Sequence, residues 1–298
     1  MNNIITIVTP SYNQGQYLGD TIKSVVTQAG NFYIDYIIQD GASTDKSIDI
    51  IKSWEHNLKS ESDILEYGNH VWMTPKSKGN LIQCNGISFR WDSHRDSGQS
   101  EAINNGFKLG FGELAGWVNS DDTLMPGTLN RAFELYRFFR GVIFGKAQAV
   151  DGDGKQKWIQ DFWKRRFTLY DSLILGYTPP QPSVFFPLEL YRKVGGLNES
   201  LHYMLDTDLW QRMIKLNGPF NYVSELWSRQ IYHENSKSMQ GDHLFSAFAD
   251  ERIYLIRRRK KEIGFMIFVY ETRFFFRKCF ILCIEELKKI VKSFLHKR

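Results

Sequence analysis

The sequence predicts an α/β fold around a mostly parallel sheet, on three observations. Short, continuously apolar runs of strand length alternate with segments of helical period from Ile4 to Val118. Such strand–helix–strand repeats imply parallel strands joined by right-handed crossovers. Polar turns follow three of the runs, at Ser11–Gly15, Asp40–Asp45 and Asn119–Asp122. Parallel strands point the same way, so these turns are expected to converge on one edge of the sheet, where open α/β folds bind ligands.

In chain order, Ile4–Pro10 reads as a buried strand, and the turn after it leads to a helix with Leu18, Ile22, Val25 and Val26 on one face. Tyr33–Gln39 is a second strand. The Ser43/Thr44/Asp45 cluster behind it is suited to cap a helix over Ser47–Glu55. Residues 57–85 are weakly periodic and are read as an insertion. Gly86–Asp92, Gly98–Gly110 and Glu113–Val118 then read as strand, helix and strand. Beyond Asp122 the pattern loosens. Thr128–Phe139 is helical, and Gly141–Val150 is a strand closed by the turn Asp151-Gly152-Asp153-Gly154. Gln181–Pro187 reads as a short strand between prolines. Leu205–Leu216 reads as a helix with Leu209, Met213 and Leu216 on one face.

The totals agree with this picture. A chain of 298 residues, 42% hydrophobic and 15% aromatic, supports a sizeable core and excludes general disorder. Three cysteines (Cys84, Cys279, Cys283) make no disulfide framework, and the seven histidines lack zinc-ligand spacing. The first residues enter a strand directly, so no signal peptide is expected. Charge is uneven. From Glu251 onward there are 14 Lys/Arg against five Asp/Glu, so residues 1–250 carry −4 of the +5 total. A basic end on a mildly acidic body points to an anionic surface as the partner of that end.

The run Gly116-Trp117-Val118-Asn119-Ser120-Asp121-Asp122 carries the most chemistry. Two adjacent carboxylates at a strand end repel each other unless a cation sits between them. Mg²⁺ or Mn²⁺ bound through one or two carboxylates and a substrate phosphate suits such a place. A plain turn and helix cap would use the same residues.

Thr9-Pro10-Ser11-Tyr12-Asn13, Asp40–Asp45, Asp96–Gly106, Asn119–Asp122 and Asp206-Thr207-Asp208-Leu209-Trp210 occur in that order. Together they resemble the motif set of family 2 glycosyltransferases of the inverting GT-A type, over roughly residues 4–238. That resemblance implies a Rossmann-like sheet flanked by helices, with 1–122 as a nucleotide-binding half and 123–240 as an acceptor-binding half. It implies a nucleotide-sugar donor, most simply a UDP-sugar, and a hydroxyl acceptor on a glycan or lipid-linked saccharide. Pro10, Tyr12, Asn13 and Asp40 match positions that hold base and ribose. Asp96 matches a loop closing over the nucleotide, although it is also suited to cap the helix after Gly98. Asn119-Ser120-Asp121 matches the metal-binding Asp-x-Asp segment with Asn in its first place. Ser120 then lines the nucleotide, Asp121 carries the ion and Asp122 supports it. His233 matches a histidine that reaches metal or diphosphate, with Lys237 close by in sequence. Asp206 matches the general base, preceded by Leu205 where relatives often have Glu. Asp208 is its competitor, although side chains two residues apart on a helix point some 200° apart. Gln181 and Trp210 are assigned to the acceptor side. Trp210 and Tyr203 would serve equally as core.

Residues 241–298 are expected to form a basic helical tail. Phe276, Cys279, Phe280, Cys283, Leu287, Ile290 and Phe294 recur at helical spacing, with Arg277, Lys278, Lys288, Lys289 and Lys292 opposite. Such a helix lies in an anionic membrane interface, which implies a peripheral enzyme on the inner face of the cell membrane. Packing on the domain or on a second subunit, in a homo-oligomer, is the alternative. No nucleic-acid recognition fold accompanies the charge. The charge-free stretch Ile263–Tyr270 is too short to span a bilayer. Two rival classes share part of the pattern. A sugar-phosphate nucleotidyltransferase would need a Gly-rich basic loop where Ser11–Gly15 has one glycine and no cation. A non-catalytic membrane-docking protein leaves the carboxylates without a purpose.

Overall fold

β1 (Ile4–Ser11) is buried from its second residue onward because helices cover both faces of the sheet around it. The computed structural model describes residues 3–76, 81–233 and 242–258. Ile5 and Ile7 join one apolar cluster, where α1 (Leu18–Val26), α2 (Ser47–Ser60) and α4 (Thr128–Phe139) supply Ile22, Val25, Ile51, Leu129 and Phe133. Val8 joins the other, with Ile103 and Phe107 of α3 (Gln99–Leu109) and Leu209, Trp210 and Met213 of α7 (Leu205–Asn217). Strands buried on both faces read as unbroken apolar runs, which explains the signal between Ile4 and Val118.

β1 pairs in parallel with β2 (Tyr33–Asp40) and β6 (Leu114–Trp117), and β2 with β5 (Gly86–Ser93). Beyond β6 the sheet becomes mixed. β11 (Val184–Pro187) runs antiparallel between β6 and β8 (Ile143–Asp151), and β8 lies parallel to the long β12 (Phe220–Tyr232). β7 (Asp122–Leu124) and β10 (Arg166–Phe167) pair with β12, and β9 (Gln156–Gln160) with β8. At the opposite edge β3 (Ser62–Tyr67) and β4 (His70–Pro75) form the hairpin that fills the weakly periodic segment. The result is the α/β architecture expected: a parallel centre, a mixed flank and helices on both sides.

An ion pair lies inside this sheet. Asp35 of β2 is fully buried, ion-paired to Arg90 of β5 and bonded by the Thr6 hydroxyl (2.8 Å) and the Phe111 N–H (3.2 Å). Burial raises its carboxyl above the usual range, against the pull of Arg90. Gly106 lets α3 sit directly on β1, since a Cβ there would meet Val8 Cγ1 at 2.5 Å.

Two sequence expectations need correction. Gln181–Pro187 opens as a 3-10 turn over Gln181–Ser183, and β11 starts only at Val184. Pro182 within that turn has no N–H for a ladder. Leu216 is 57% exposed rather than core, because the last turn of α7 has passed beyond the apolar surface that covers Leu209 and Met213.

Residues 242–258 form α8 (Asp242–Arg258), seated against α5 (Leu169–Leu173) and α7. Leu255 enters the second apolar cluster, and Ile256 packs with Leu173 and Ile174. The Arg252 guanidinium donates to the Ser172 carbonyl (3.3 Å). Lys237, Ile263–Tyr270 and the amphipathic pattern from Phe276 to Phe294 lie outside the described residues. Among those described, no helix is long and apolar enough to cross a membrane.

Candidate active site

The parallel register brings the ends of β1, β2, β5 and β6 to one edge, with Ser11 beside Asp40 and Asp40 beside Ser93. Asp40 is buried and fixed there. Its carboxylate accepts from the Ser43 hydroxyl (2.6 Å), the Ser43 N–H (2.8 Å) and the Ser93 hydroxyl (2.8 Å). These bonds hold the loop so tightly that Ala42 adopts φ 63°, a conformation costing an L-residue roughly 1–2 kcal/mol. Asn13, also left-handed at φ 52°, clamps the same loop: its side chain accepts from the Thr44 N–H (2.8 Å), and its own N–H donates to the Ser43 hydroxyl (2.8 Å).

Tyr12 projects from this rim, 62% exposed, while Pro10 is buried in the strand. Asp96 stands opposite. A Cβ on Gly41 would touch Asp96 Oδ2 at 3.1 Å and Tyr12 Cδ2 at 3.3 Å, so Tyr12 and Asp96 both stand against Gly41. Burial, with the charges of Glu101 and Asp40, raises the Asp96 carboxyl. Asp96 also accepts from the Gly98 N–H (2.9 Å), so it serves the start of α3 as well.

The Asn119–Asp122 turn divides its polar groups between two directions. Asn119 faces inward: its oxygen accepts from Gln99 (2.7 Å), and its amide donates to Asp122 (3.1 Å) and Gln181 (3.1 Å). Asp122 is buried beneath it, its carboxyl raised by burial, with the neighbouring Asp121 charge adding to that. Ser120 is buried too, its carbonyl accepting from the Thr21 hydroxyl (2.9 Å). Asp121 faces outward. Its Oδ2 lies 3.2 Å from His233 Nε2, and the imidazole stacks on Tyr17 with ring centroids 4.6 Å apart. Of the three residues expected at a metal, Asp121 and His233 therefore meet, and Asp122 sits behind them as a support for Asn119.

A carboxylate beside an imidazole fits Mn²⁺, and fits Mg²⁺ less well because imidazole suits transition metals better. Among the described residues no three His, Cys, Asp or Glu side chains gather as a metal cage. Any ion here would take its remaining ligands from phosphate and water.

α7 enters from above this edge. Trp210 stacks on Trp117, at the end of β6, with centroids 5.3 Å apart. Asp206 lies four residues earlier and so on the same face, one turn nearer the rim. It accepts from the Thr207 N–H (2.6 Å). Part of its surface stays open, yet close enclosure by protein raises its carboxyl to about 6. Asp208 points the other way. Wholly buried and paired with Arg212 (2.8 Å) and Arg258 (3.7 Å), it lines a separate cavity of about 960 Å³ between α3, α6 (Leu188–Lys193), the loop after α6, α7 and α8. That assigns the outward carboxylate of the pair to Asp206.

Two acceptor-side expectations are corrected. Trp210 is fully buried, since its helix crosses β6 at that point and its ring is taken up by Trp117. Gln181 is also turned inward, donating to the Trp117 carbonyl (2.7 Å). Sequence reasoning missed Tyr17, Ser93 and Glu251. The first two lie in a turn and at a strand end with no distinguishing pattern. Glu251 of α8 accepts from three consecutive N–H groups just before α7, those of His202 (2.8 Å), Tyr203 (2.9 Å) and Met204 (2.8 Å).

Such a carboxylate gathers the N–H groups of the turn leading into α7 and, standing at the N-terminal end of that helix, complements its dipole. Glu251→Ala is expected to cost about 1–3 kcal/mol, read as a melting temperature lowered by several degrees. Glu251→Gln, which keeps an acceptor oxygen, recovers part of it.

A profile of glycosyl transferase family 2 matches residues 6–188. The chain belongs to glycosyl transferase family 2. Its curated relatives include an uncharacterized glycosyltransferase of Rickettsia typhi, 22% identical over 73% of this chain and 60% of its own length. The chondroitin synthase of Escherichia coli is 21% identical over 80% of this chain and 30% of its own. The family 2 chain thus spans less than two thirds of the length of these relatives. Among solved structures, a fragment of S. aureus TarS in complex with UDP-GlcNAc matches with TM-score 0.62 at 18% identity, over 88% of this chain and 66% of that one. The mannosyltransferase PcManGT of Pyrobaculum calidifontis, in complex with GDP-Man and Mn²⁺, matches with TM-score 0.54 at 12% identity, over 86% and 73%. The fold of the family 2 chain is therefore the GT-A fold.

Proposed function

We propose that the chain transfers a sugar, with inversion, from a nucleotide-sugar to a hydroxyl of a glycan or lipid-linked saccharide. The observation that carries this reading is the Asp121–His233 pair, 3.2 Å apart on the same sheet edge as Asp40. Tyr12 would cover the base, Asp40 would accept from it or from the ribose, and Asp96 would close over the nucleotide. Asp121 and His233 would hold Mn²⁺ or Mg²⁺, which when bound neutralises the departing diphosphate. Asp206 would take the proton from the acceptor hydroxyl as its oxygen bonds to the anomeric carbon. The bond to the diphosphate breaks in the same displacement, and its electron pair leaves with the nucleoside diphosphate. A single displacement inverts the anomeric centre and needs no second carboxylate nucleophile.

A UDP-sugar is the expected donor, and TarS with UDP-GlcNAc is the relative that supports it. The basic residues from Arg257 onward support attachment to the inner membrane face, where a lipid-linked acceptor would be met. Melting curves with UDP, GDP, dTDP and their sugars, with and without Mn²⁺, test the reading. Stabilisation by UDP that depends on Mn²⁺ is the expected result. A response to GDP alone moves the donor, and indifference to every nucleotide removes the transferase reading.

A further inference from the structure

Eight tryptophans occur in the chain, and all but two are buried or half-buried. The exceptions, Trp158 (46% exposed) and Trp163 (63% exposed), lie five residues apart. Tyr170 and Leu175 are exposed next to them in sequence. Indole left in water is unfavourable unless something else covers it, and exposed aromatics that keep a polar edge are suited to the membrane–water interface.

Trp163 and Tyr170 share one surface through Lys164. Lys164 Nζ lies 5.9 Å from the Trp163 ring centroid and 6.0 Å from that of Tyr170. Trp163 stands edge-on to Tyr177 at 5.7 Å. Trp158 shares a strand face with Gln160, whose amide donates to the Thr178 carbonyl (2.7 Å). The two indoles therefore flank residues 177–178.

The same segment is cationic. Lys155, Lys164, Arg165 and Arg166 are exposed, against two carboxylates that are already engaged, one of them by Lys164 itself. Asp161 pairs with Lys146 (2.8 Å), and Asp171 is buried against Lys164 (2.5 Å). This stands out on residues 1–250, whose net charge is −4. Lysine and arginine around exposed indoles match an anionic bilayer in both charge and polarity.

We infer that this face of the GT-A domain, around Trp158, Trp163 and Tyr170, docks on an anionic lipid bilayer, in addition to any attachment by residues 259–298. The surface borders the candidate site on two sides. Trp158 packs on Tyr232, the residue before His233, at 4.8 Å. Thr178 bonds the Thr207 hydroxyl next to Asp206 (2.9 Å). Docking would thus bring the Asp206 side to the bilayer, where a lipid-linked acceptor ends. That catalytic meaning rests on the transferase reading, whereas the docking itself does not.

The test uses the full chain with phosphatidylcholine vesicles that contain or lack phosphatidylglycerol, their acyl chains brominated to quench tryptophan on contact. Anionic vesicles are expected to quench part of the emission, and Trp158→Phe/Trp163→Phe to lose that part with an unchanged melting temperature. Arg165→Glu/Arg166→Glu is expected to weaken vesicle binding by about tenfold or more. Co-sedimentation without quenching overturns the inference, because the chain then docks by another surface. Protection of the indoles by a soluble anionic polysaccharide, with none from vesicles, also overturns it. Asp121→Asn protein is run in parallel, so that a failed catalytic reading and a failed docking surface are told apart.

Discussion

Replacing Asp206 by Asn is expected to lower sugar transfer by roughly 10²–10⁴-fold while leaving nucleotide binding intact and raising the melting temperature above pH 6. The three effects share one cause. Enclosure lifts the Asp206 carboxyl from 3.8 to about 6, near the range in which a base is both ionised and basic enough to act. Between those two values the folded chain holds a proton that the unfolded chain has lost. Stability therefore falls as pH rises from about 4 to about 6 and stays lower above it. With allowance for the solvent that Asp206 still touches, the loss is on the order of 1–2 kcal/mol. Asparagine keeps an oxygen for the Thr207 N–H and carries no charge to bury. In the variant that step should vanish from melting curves taken between pH 4 and 8. In the parent, kcat/KM should climb through about pH 6 and level off. A variant that transfers at the parental rate takes the base role away from Asp206, whatever its melting curve does.

How much of this was legible in the sequence follows from what each residue packs against. β1, β2, β5 and β6 are readable because both their faces are covered and their apolar runs are unbroken. β12 passes unnoticed because Phe220–Tyr232 is mostly half-buried, shifts register twice against β8 and includes Ser224, Glu225, Arg229 and Gln230. The three polar turns could be placed on one edge from strand direction alone. The facing of individual side chains within them could not. Asp121 and Asp122 are neighbours in sequence, but a strand begins between them, and alternation along it sends one outward and one in. Asp206 and Trp210 show the opposite limit. They share a helix face, yet the tryptophan meets β6 and is core, while the aspartate overhangs the rim. Glu251 had no local signal at all, since its three partners are some 50 residues away.

Asp121→Asn carries the other large expected effect: transfer reduced by about 10²–10³-fold, with a higher Mn²⁺ requirement for what remains. A diphosphate leaving group needs its charge neutralised as the sugar bond breaks, and loss of a preorganised charge at such a place costs about this much. Asp121 of the turn and His233 just after β12 are the two outward donors that meet there, so removing the carboxylate leaves an imidazole that binds a hard cation weakly. His233→Ala, which keeps the negative charge, should lose less. The fold responds in the opposite sense. Part of what raises the buried Asp122 carboxyl is the charge of Asp121. Without that charge, Asp122 ionises at less cost, and the metal-free variant should melt no lower than the parent at neutral pH. Rate against Mn²⁺ concentration, and melting curves with UDP in the presence and absence of Mn²⁺, separate the two consequences. If the variant keeps the parental Mn²⁺ response, the cation is held by other ligands and the pairing of Asp121 with His233 has a purely structural purpose.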